Sequence, residues 1–295
     1  MNILLTGKNG QVGFELQRSL APLGRIVAVD QQECDLADPD SIRNLVAEVR
    51  PAIIVNPAAY TAVDKAESEP ALAGAINGIA PGVLAEEAAR IGALLVHFST
   101  DYVFDGTKAG AYQESDTPDP KSVYGRTKLS GERAVERGGA DHLIFRTSWV
   151  FGAHGANFAK TMLRLAAERS EMNVVADQFG APTPAALLAD VTAQVIGRYV
   201  REGRTGFPFG LYHLVASGKT TWHEYACVVV AAAKAAGRPL KLDIDHIRAI
   251  TTAEYPLPAQ RPANSELDCS LLRNTFGLEL PSWQSGLDHV LQQIL

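Results

Sequence analysis

Tyr124 and Lys128 stand four residues apart in Ser122-Val123-Tyr124-Gly125-Arg126-Thr127-Lys128, with Thr100 about twenty residues upstream. On a helix this spacing puts both side chains on one face, within reach of each other. A phenol has an ordinary pKa of about 10, too high to be half ionised at neutral pH. An ammonium about 5 Å away, at an effective dielectric near 20, favours the phenolate by about 3 kcal/mol. That is roughly two pKa units, enough to bring the phenol toward a useful acid–base range. The Thr100 hydroxyl could add a hydrogen bond to the same oxygen or to a substrate. A Tyr-x-x-x-Lys spacing recurs by chance, so its weight here comes from the N-terminus of the same chain.

There, Asn2-Ile3-Leu4-Leu5-Thr6 reads as a short apolar strand running into Gly7-Lys8-Asn9-Gly10-Gln11-Val12-Gly13. Phe14 to Leu20 follows with apolar residues at helical spacing. Strand, glycine turn and helix together are the context of a phosphate site. The glycines let the backbone approach a pyrophosphate, and the helix N-terminus offers free N–H groups and a partial positive charge. The next strand, Arg25 to Val29, ends at Asp30, about 20 residues past the glycines, where a ligand of a ribose hydroxyl belongs. The bland reading is an ordinary glycine turn with a surface aspartate. The flanking strand, helix and acid favour the nucleotide site.

These groups need a scaffold. The first half alternates strands, at 2–6, 25–29, 52–56, 93–98 and 142–147, with helices at 11–21, 39–49, 70–91 and 124–137. That order predicts an α/β fold of the Rossmann type, a doubly wound parallel sheet covered on both faces. Ligands then bind outside the carboxyl ends of the strands, where Thr6-Gly7, Asn56–Tyr60, Ser99–Asp101 and Thr147–Trp149 fall. Residues 1–150 form the expected dinucleotide-binding domain. After Trp149 the pattern loosens, with helices expected at 157–169, 184–201, 221–236 and 283–294 and a strand at Leu211–Val215. Residues 151–295 are expected to build mainly a smaller, discontinuous substrate domain, with 184–217 returning to the large sheet.

A length of 295 residues with 46% hydrophobic content suffices for this architecture. The net charge of −6 and the absence of any Lys/Arg run argue against a nucleic-acid surface. Cys34, Cys227 and Cys269 are isolated, which suggests no disulfide framework and fits a reducing, cytoplasmic setting. No signal peptide is expected, since the N-terminus enters a strand directly. Ala226–Ala236, the most apolar stretch, is interrupted by Lys234 and too short to span a bilayer, so no membrane association is expected. The seven histidines show no metal-ligand spacing and read as structural.

With the glycine turn, Asp30, Thr100, Tyr124 and Lys128 in view, the chain resembles the extended short-chain dehydrogenase/reductases. Within them, Thr6–Gly13, Ala58–Glu67, Ser99–Gly106, Arg146–Gly152, Asp177–Thr183 and Arg261–Asp268 resemble the dTDP-4-dehydrorhamnose reductases. The resemblance implies NADPH- or NADH-dependent reduction of the C4 ketone of dTDP-4-dehydro-L-rhamnose, the last step of dTDP-rhamnose synthesis. It implies that Gly10, Gln11 and Val12 hold the cofactor pyrophosphate, with Gly7 and Gly13 also in the cofactor site, Asp30 the adenosine ribose, and Asp35 and Leu36 the adenine. Ala59, Tyr60 and Thr61 would line the cofactor. Tyr124 would donate the proton, and Lys128 would partner it and hold the nicotinamide ribose. Thr100, Asp101 and Trp149 would contact the sugar. Arg261, Asn157 and Gln178 would lie toward the nucleotide end of the substrate.

Bland alternatives stay open for three of these. Trp149, beside Val150 and Phe151, also fits a core position. Asp101 also fits a turn cap, and Arg261 a surface ion pair, although a diphosphate is a natural target for a guanidinium fork. Asp30 would repel an NADP 2′-phosphate, yet the family is described as accepting NADPH, so the choice of cofactor stays open. A dehydratase or epimerase is the near rival; in dehydratases a second acid–base pair follows the threonine, whereas here Asp101 is followed by Tyr102. A non-catalytic relative, resembling the regulatory subunit of methionine adenosyltransferase, is the distant rival. Retention of Tyr124, Lys128, Thr100 and the glycine turn favours an enzyme.

Some relatives form dimers bridged by a divalent cation. Glu15 and Asp190 could supply carboxylates, but Ala186 stands where a third would be needed. Hard cations want several oxygen ligands. No required metal is therefore expected, with Mg²⁺ an optional ligand at most, and the chain is expected to be a monomer or a weak homodimer.

Overall fold

The computed structural model describes residues 1–295. From the N-terminus the elements are β1 (Asn2–Leu5), α1 (Gln11–Leu20), β2 (Arg25–Ala28), α2 (Pro39–Val49), β3 (Ile53–Asn56), α3 (Val63–Ala66), α4 (Pro70–Gly74), α5 (Ala80–Ile91), β4 (Leu94–Thr100), α6 (Val123–Arg137) and β5 (His142–Thr147). The second half adds β6 (Val150–Phe151), α7 (Phe158–Glu168), β7 (Met172–Val175), β8 (Phe179–Gly180), β9 (Thr183–Pro184), α8 (Ala185–Glu202), β10 (Gly210–His213), β11 (Thr220–Thr221), α9 (Trp222–Ala235), β12 (Ile247–Ile250), α10 (Ser270–Phe276) and α11 (Trp283–Ile294).

Six strands form one sheet in the order β10-β5-β4-β3-β1-β2, and every pairing is parallel. β1 is flanked by β2 on one side and β3 on the other, so the chain reverses direction across the sheet beside β1. Such a switch point opens a crevice at the strand ends. The strands are apolar along their length because helices cover both faces. On one face Leu16 and Leu20 of α1 and Leu188 and Ile196 of α8 are fully buried against β1, β3 and β5. On the other, α2, α5 and α6 bury Ile42, Val46, Leu84 and Val135. A separate core gathers α7, α9 and α11 around Ala159, Tyr225, Val229 and Leu287. Thus α8 and β10 belong to the large sheet, and so does α10, through Leu272.

One expected element is divided. Residues 70–91 form α4, a π-helical turn over Ala75–Ile79 and α5, rather than one continuous helix. The extra residue per turn accompanies a fixed placement of Asn77. Its Oδ1 accepts from the Tyr60 N–H at 2.8 Å and its Nδ2 donates to the Tyr60 carbonyl at 3.0 Å. Such bulges cluster at functional sites. Five helices begin where a side chain caps them: Asp38 for α2, Ser122 for α6, Asn157 for α7, Thr221 for α9 and Ser282 for α11.

Candidate active site

The turn after β1 is built on close backbone approach. A Cβ on Gly13 would fall 2.0 Å from the Gly7 carbonyl oxygen, and Gly7 itself has φ +62°. Gly10 precedes α1 with no side-chain cap, which leaves the helix N-terminal N–H groups without a side-chain acceptor. These residues open a cleft of about 550 Å³ lined by Gly7, Gly10, Gln11, Val12, Gly13, Asp30, Asp35, Leu36, Ala59, Thr61, Tyr124 and Lys128. That is the size of a typical small-molecule site. Tyr60, expected on this wall, is not part of it. Its hydroxyl donates to Glu69 at 2.6 Å, and its backbone is held by Asn77.

Asp30 is not an isolated acid. Asn9 donates to its Oδ2, and Lys8 Nζ lies 4.0 Å from the same oxygen while pairing with Glu33. Lys8 holds the Glu33 carboxyl down at about 2. Sequence reading passed over Lys8 and Glu33, although a lysine inside the glycine turn and an acid three residues past Asp30 were the available signal. If Asp30 faces the adenosine ribose, Asp30→Ala removes its repulsion of an NADP 2′-phosphate and leaves Lys8, paired with Glu33, as the nearby cation. The expected result is a higher NADPH/NADH ratio of kcat/KM. An unchanged ratio would mean that Asp30 does not face the adenosine ribose.

Ser122 caps α6 by accepting from the Gly125 N–H at 3.1 Å, which sets the helix phase that turns Tyr124 and Lys128 to the cleft. The expected lowering of the phenol by Lys128 is not what the structure holds. Lys128 is 2% exposed, and its Nζ donates to the Phe98 carbonyl at 2.6 Å. Burial lowers the ammonium to about 8, with Glu132 opposing that shift. Burial pushes the Tyr124 hydroxyl up to about 12; the Thr100 hydroxyl pulls it down and the Asp101 charge pushes it up. Both groups lie out of water, where a neutral phenol is favoured over a phenolate and a neutral amine over an ammonium. In the structure desolvation dominates both.

Thr100 is 5% exposed, and its hydroxyl donates to Asp101 Oδ1 at 2.9 Å and accepts from the Tyr102 N–H at 3.2 Å. Asp101 opens the short turn after β4, and burial pushes its carboxyl up to about 6 against the Ser265 and Thr100 hydroxyls. Tyr102, which sequence reading did not select, meets the Tyr124 ring edge-on at 5.5 Å.

A second cavity, of about 1040 Å³, is lined by Tyr102, Phe158, Gln178, Trp222, Tyr255 and Arg261 among others. Trp149 has φ +47° and stacks on Trp222 at 3.6 Å. A Cβ on Gly180 would come within 2.6 Å of its indole. Trp222 in turn donates to Gln178 Oε1 at 3.1 Å, and Gln178 donates to Thr252 at 3.1 Å. Trp149 and Gln178 therefore meet through Trp222, which only tertiary packing could reveal. Trp149 does not line either cavity itself. Arg261 lines the larger one and pairs with Asp64 at 2.6 Å. Asn157 lines neither: its amide donates to Gln11 Oε1 at 3.0 Å and to the Gly152 carbonyl at 2.8 Å.

Glu15 and Asp190 come together at the α1–α8 contact, with Arg18 between them. Its Nη2 donates to Asp190 at 2.9 Å and its Nε to Glu15 at 3.4 Å. A cation already occupies the middle of that pair. Light scattering is expected to give the same mass with and without EDTA. A dimer that falls to monomer on chelation and re-forms with Mg²⁺ would contradict this.

A doubly wound parallel sheet, a glycine turn at its switch point and a Tyr-x-x-x-Lys helix beside the same cleft define an extended short-chain dehydrogenase/reductase. The comparisons narrow this. The family model described as RmlD substrate binding domain matches residues 1–295. Proteins named dTDP-4-dehydrorhamnose reductase from Burkholderia thailandensis and Escherichia coli are each 50% identical to the chain, over 100% of it and 99% and 98% of their own lengths. The crystal structure of dTDP-4-dehydrorhamnose reductase from Bacillus anthracis in complex with NADP superposes with a TM-score of 0.88 at 36% identity, covering 99% of each chain. The chain belongs to the dTDP-4-dehydrorhamnose reductase family. No helix in it is long and apolar enough to cross a membrane.

Proposed function

We propose that this chain reduces the C4 ketone of dTDP-4-dehydro-L-rhamnose to dTDP-L-rhamnose, using NADPH or NADH. The observation that carries the reading is the contact between the two cavities. Tyr124 lines the nucleotide cleft, Tyr102 lines the larger cavity, and their rings touch. A ketone seated in the larger cavity would thus present its oxygen at the wall of the cofactor cleft.

The cleft fits a dinucleotide. Gly13 lets α1 pack directly on the Gly7 carbonyl, where any Cβ would clash, and the α1 N-terminus is open to a pyrophosphate. Asp30 would take the ribose hydroxyls and Lys128 the nicotinamide ribose. A bound reduced nicotinamide supplies the hydride. Tyr124 protonates the oxygen at which negative charge develops. With its pKa near 12 it is fully protonated at neutral pH, and an alkoxide is a stronger base than a phenolate. Lys128 then favours the phenolate left behind, and Thr100 and Asp101 orient the phenol from the other side. Arg261 would turn from Asp64 toward the substrate diphosphate, and Gln178 and Trp222 would bear on the sugar nucleotide.

Lys128 supports this step only as an ammonium. Its pKa of about 8 in the free protein places the alkaline limb there, whereas Tyr124 stays protonated well beyond it. The expected kcat/KM profile is flat near neutrality and falls as pH rises through about 8. A profile flat to well above that value would remove Lys128 from the proton step. The function itself is tested by initial rates with dTDP-4-dehydro-L-rhamnose and each reduced cofactor, with identification of the product. Sugar-dependent oxidation yielding dTDP-L-rhamnose is the expected result. Tight binding of cofactor and sugar with no turnover would favour the non-catalytic alternative.

A further inference from the structure

A line of hydrogen bonds leads away from Lys128 into the sheet. Lys128 Nζ lies 3.4 Å from His97 Nε2. His97 Nδ1 lies 3.1 Å from the Asn56 amide, whose other end is 2.6 Å from the Thr6 hydroxyl. Asn56 and His97 are register partners on β3 and β4, and Thr6 follows β1. The line of bonds therefore crosses three adjacent strands, β1, β3 and β4, behind the site. All four residues are at most 2% exposed. His97 lines neither cavity.

Donors and acceptors can be counted along this line. An ammonium has donors only, so His97 must present a bare Nε2 to it. The imidazole proton then sits on Nδ1 and must be accepted. Asn56 satisfies this with its amide oxygen toward His97 and its NH₂ toward Thr6, a half-turn of the amide from the orientation with Nδ2 at His97 and Oδ1 at Thr6; the two are distinguished by hydrogen bonding and not by shape. Thr6 then accepts. No other neutral arrangement pairs every member while Lys128 is charged. An imidazolium would face the ammonium directly; burial and that charge both drive His97 well below its ordinary value.

We propose that His97, as the Nδ1–H tautomer fixed by Asn56 and Thr6, is the positioning residue that keeps Lys128 an ammonium and aims it at the cleft. Together with the Phe98 carbonyl it takes two of the three Lys128 donors, which leaves one for the cleft. The other charged groups around Lys128 do not replace it. Glu132, one turn along α6, favours the ammonium but is held bidentately by Arg146 of β5 at 2.9 and 2.7 Å. Tyr124, on the same helix, is neutral in the resting state. Asp101, after β4, acts on Tyr124. The inference rests on the reading that Lys128 is the partner of Tyr124.

The test compares His97→Phe, which keeps a ring but has no acceptor, with His97→Gln, which keeps one. A hydrogen bond to a charged group that is lost in His97→Phe should move the alkaline limb of kcat/KM about one pH unit toward acid. In the same variant kcat should fall about tenfold with KM for the sugar little changed. His97→Gln should restore most of both. ¹⁵N NMR of the wild-type protein provides a measurement that does not depend on the variants folding. It should show His97 with a protonated Nδ1 and a bare Nε2 across the range in which an ordinary imidazole titrates. An unmoved limb in folded His97→Phe, or an Nε2–H tautomer, overturns the proposal. Lys128→Met separates the two levels: if it keeps wild-type turnover, the assignment of Lys128 falls. If it loses turnover while His97→Phe leaves the limb in place, the role of His97 alone falls.

Discussion

Tyr124→Phe is expected to lower turnover by ~10²-fold or more while leaving the fold and cofactor affinity intact. The substitution removes one oxygen and nothing else. The phenyl ring keeps its edge-on contact with Tyr102, and its place on α6 is fixed by the Ser122 cap, which does not involve the hydroxyl. What is lost is the proton for the developing alkoxide. Burial holds that proton on the phenol, up to about 12, so the group is an acid ready to donate and not a standing phenolate. Positioning by the rest of the site would sustain the residual rate. Near-normal turnover in a folded Tyr124→Phe protein would reject Tyr124 as the acid.

Lys128→Met is expected to lose turnover to a similar degree and to weaken binding of the reduced cofactor about tenfold, as loss of a hydrogen bond from a charged donor does. Methionine reproduces the unbranched stem in a 2%-exposed position, so packing is kept and the charge is deleted. The two effects have separate causes, support of the Tyr124 phenolate and contact with the nicotinamide ribose. Stopped-flow turnover and fluorescence titration of cofactor binding read them separately. A variant with full cofactor affinity and no turnover would confine Lys128 to the proton step. One with both properties intact would remove it from the site.

Much of this was legible in the sequence because it depends on local pattern. Strand, glycine turn and helix follow one another within the first twenty residues. Tyr124 and Lys128 share a helix, and the parallel sheet follows from alternating apolar runs. What was not legible depends on partners distant in the chain. Trp222 begins a helix like many others; its stacking on Trp149 and its hydrogen bond to Gln178 need α9 placed against the segment after β5. Tyr60 sits at a strand end in sequence, but its hydrogen bonds to Glu69 and to Asn77 in a π-helical turn depend on residues 9 and 17 positions further on. His97 read as one scattered histidine because nothing in its neighbours marks Lys128 as being opposite. Spacing reports proximity and not desolvation, so burial of Tyr124, which raises its phenol where a neighbouring ammonium alone would lower it, is invisible in sequence.

Reduction with NADPH deuterated at the transferring C4 position tests the central claim most directly, followed by NMR of the sugar product. The expected result is one deuterium at C4 of the dTDP-rhamnose formed by the wild-type protein, with the same label at a rate reduced ~10²-fold in Tyr124→Phe. Cofactor oxidation that leaves sugar C4 unlabelled, or a sugar epimerised or dehydrated without net oxidation of cofactor, would contradict the account.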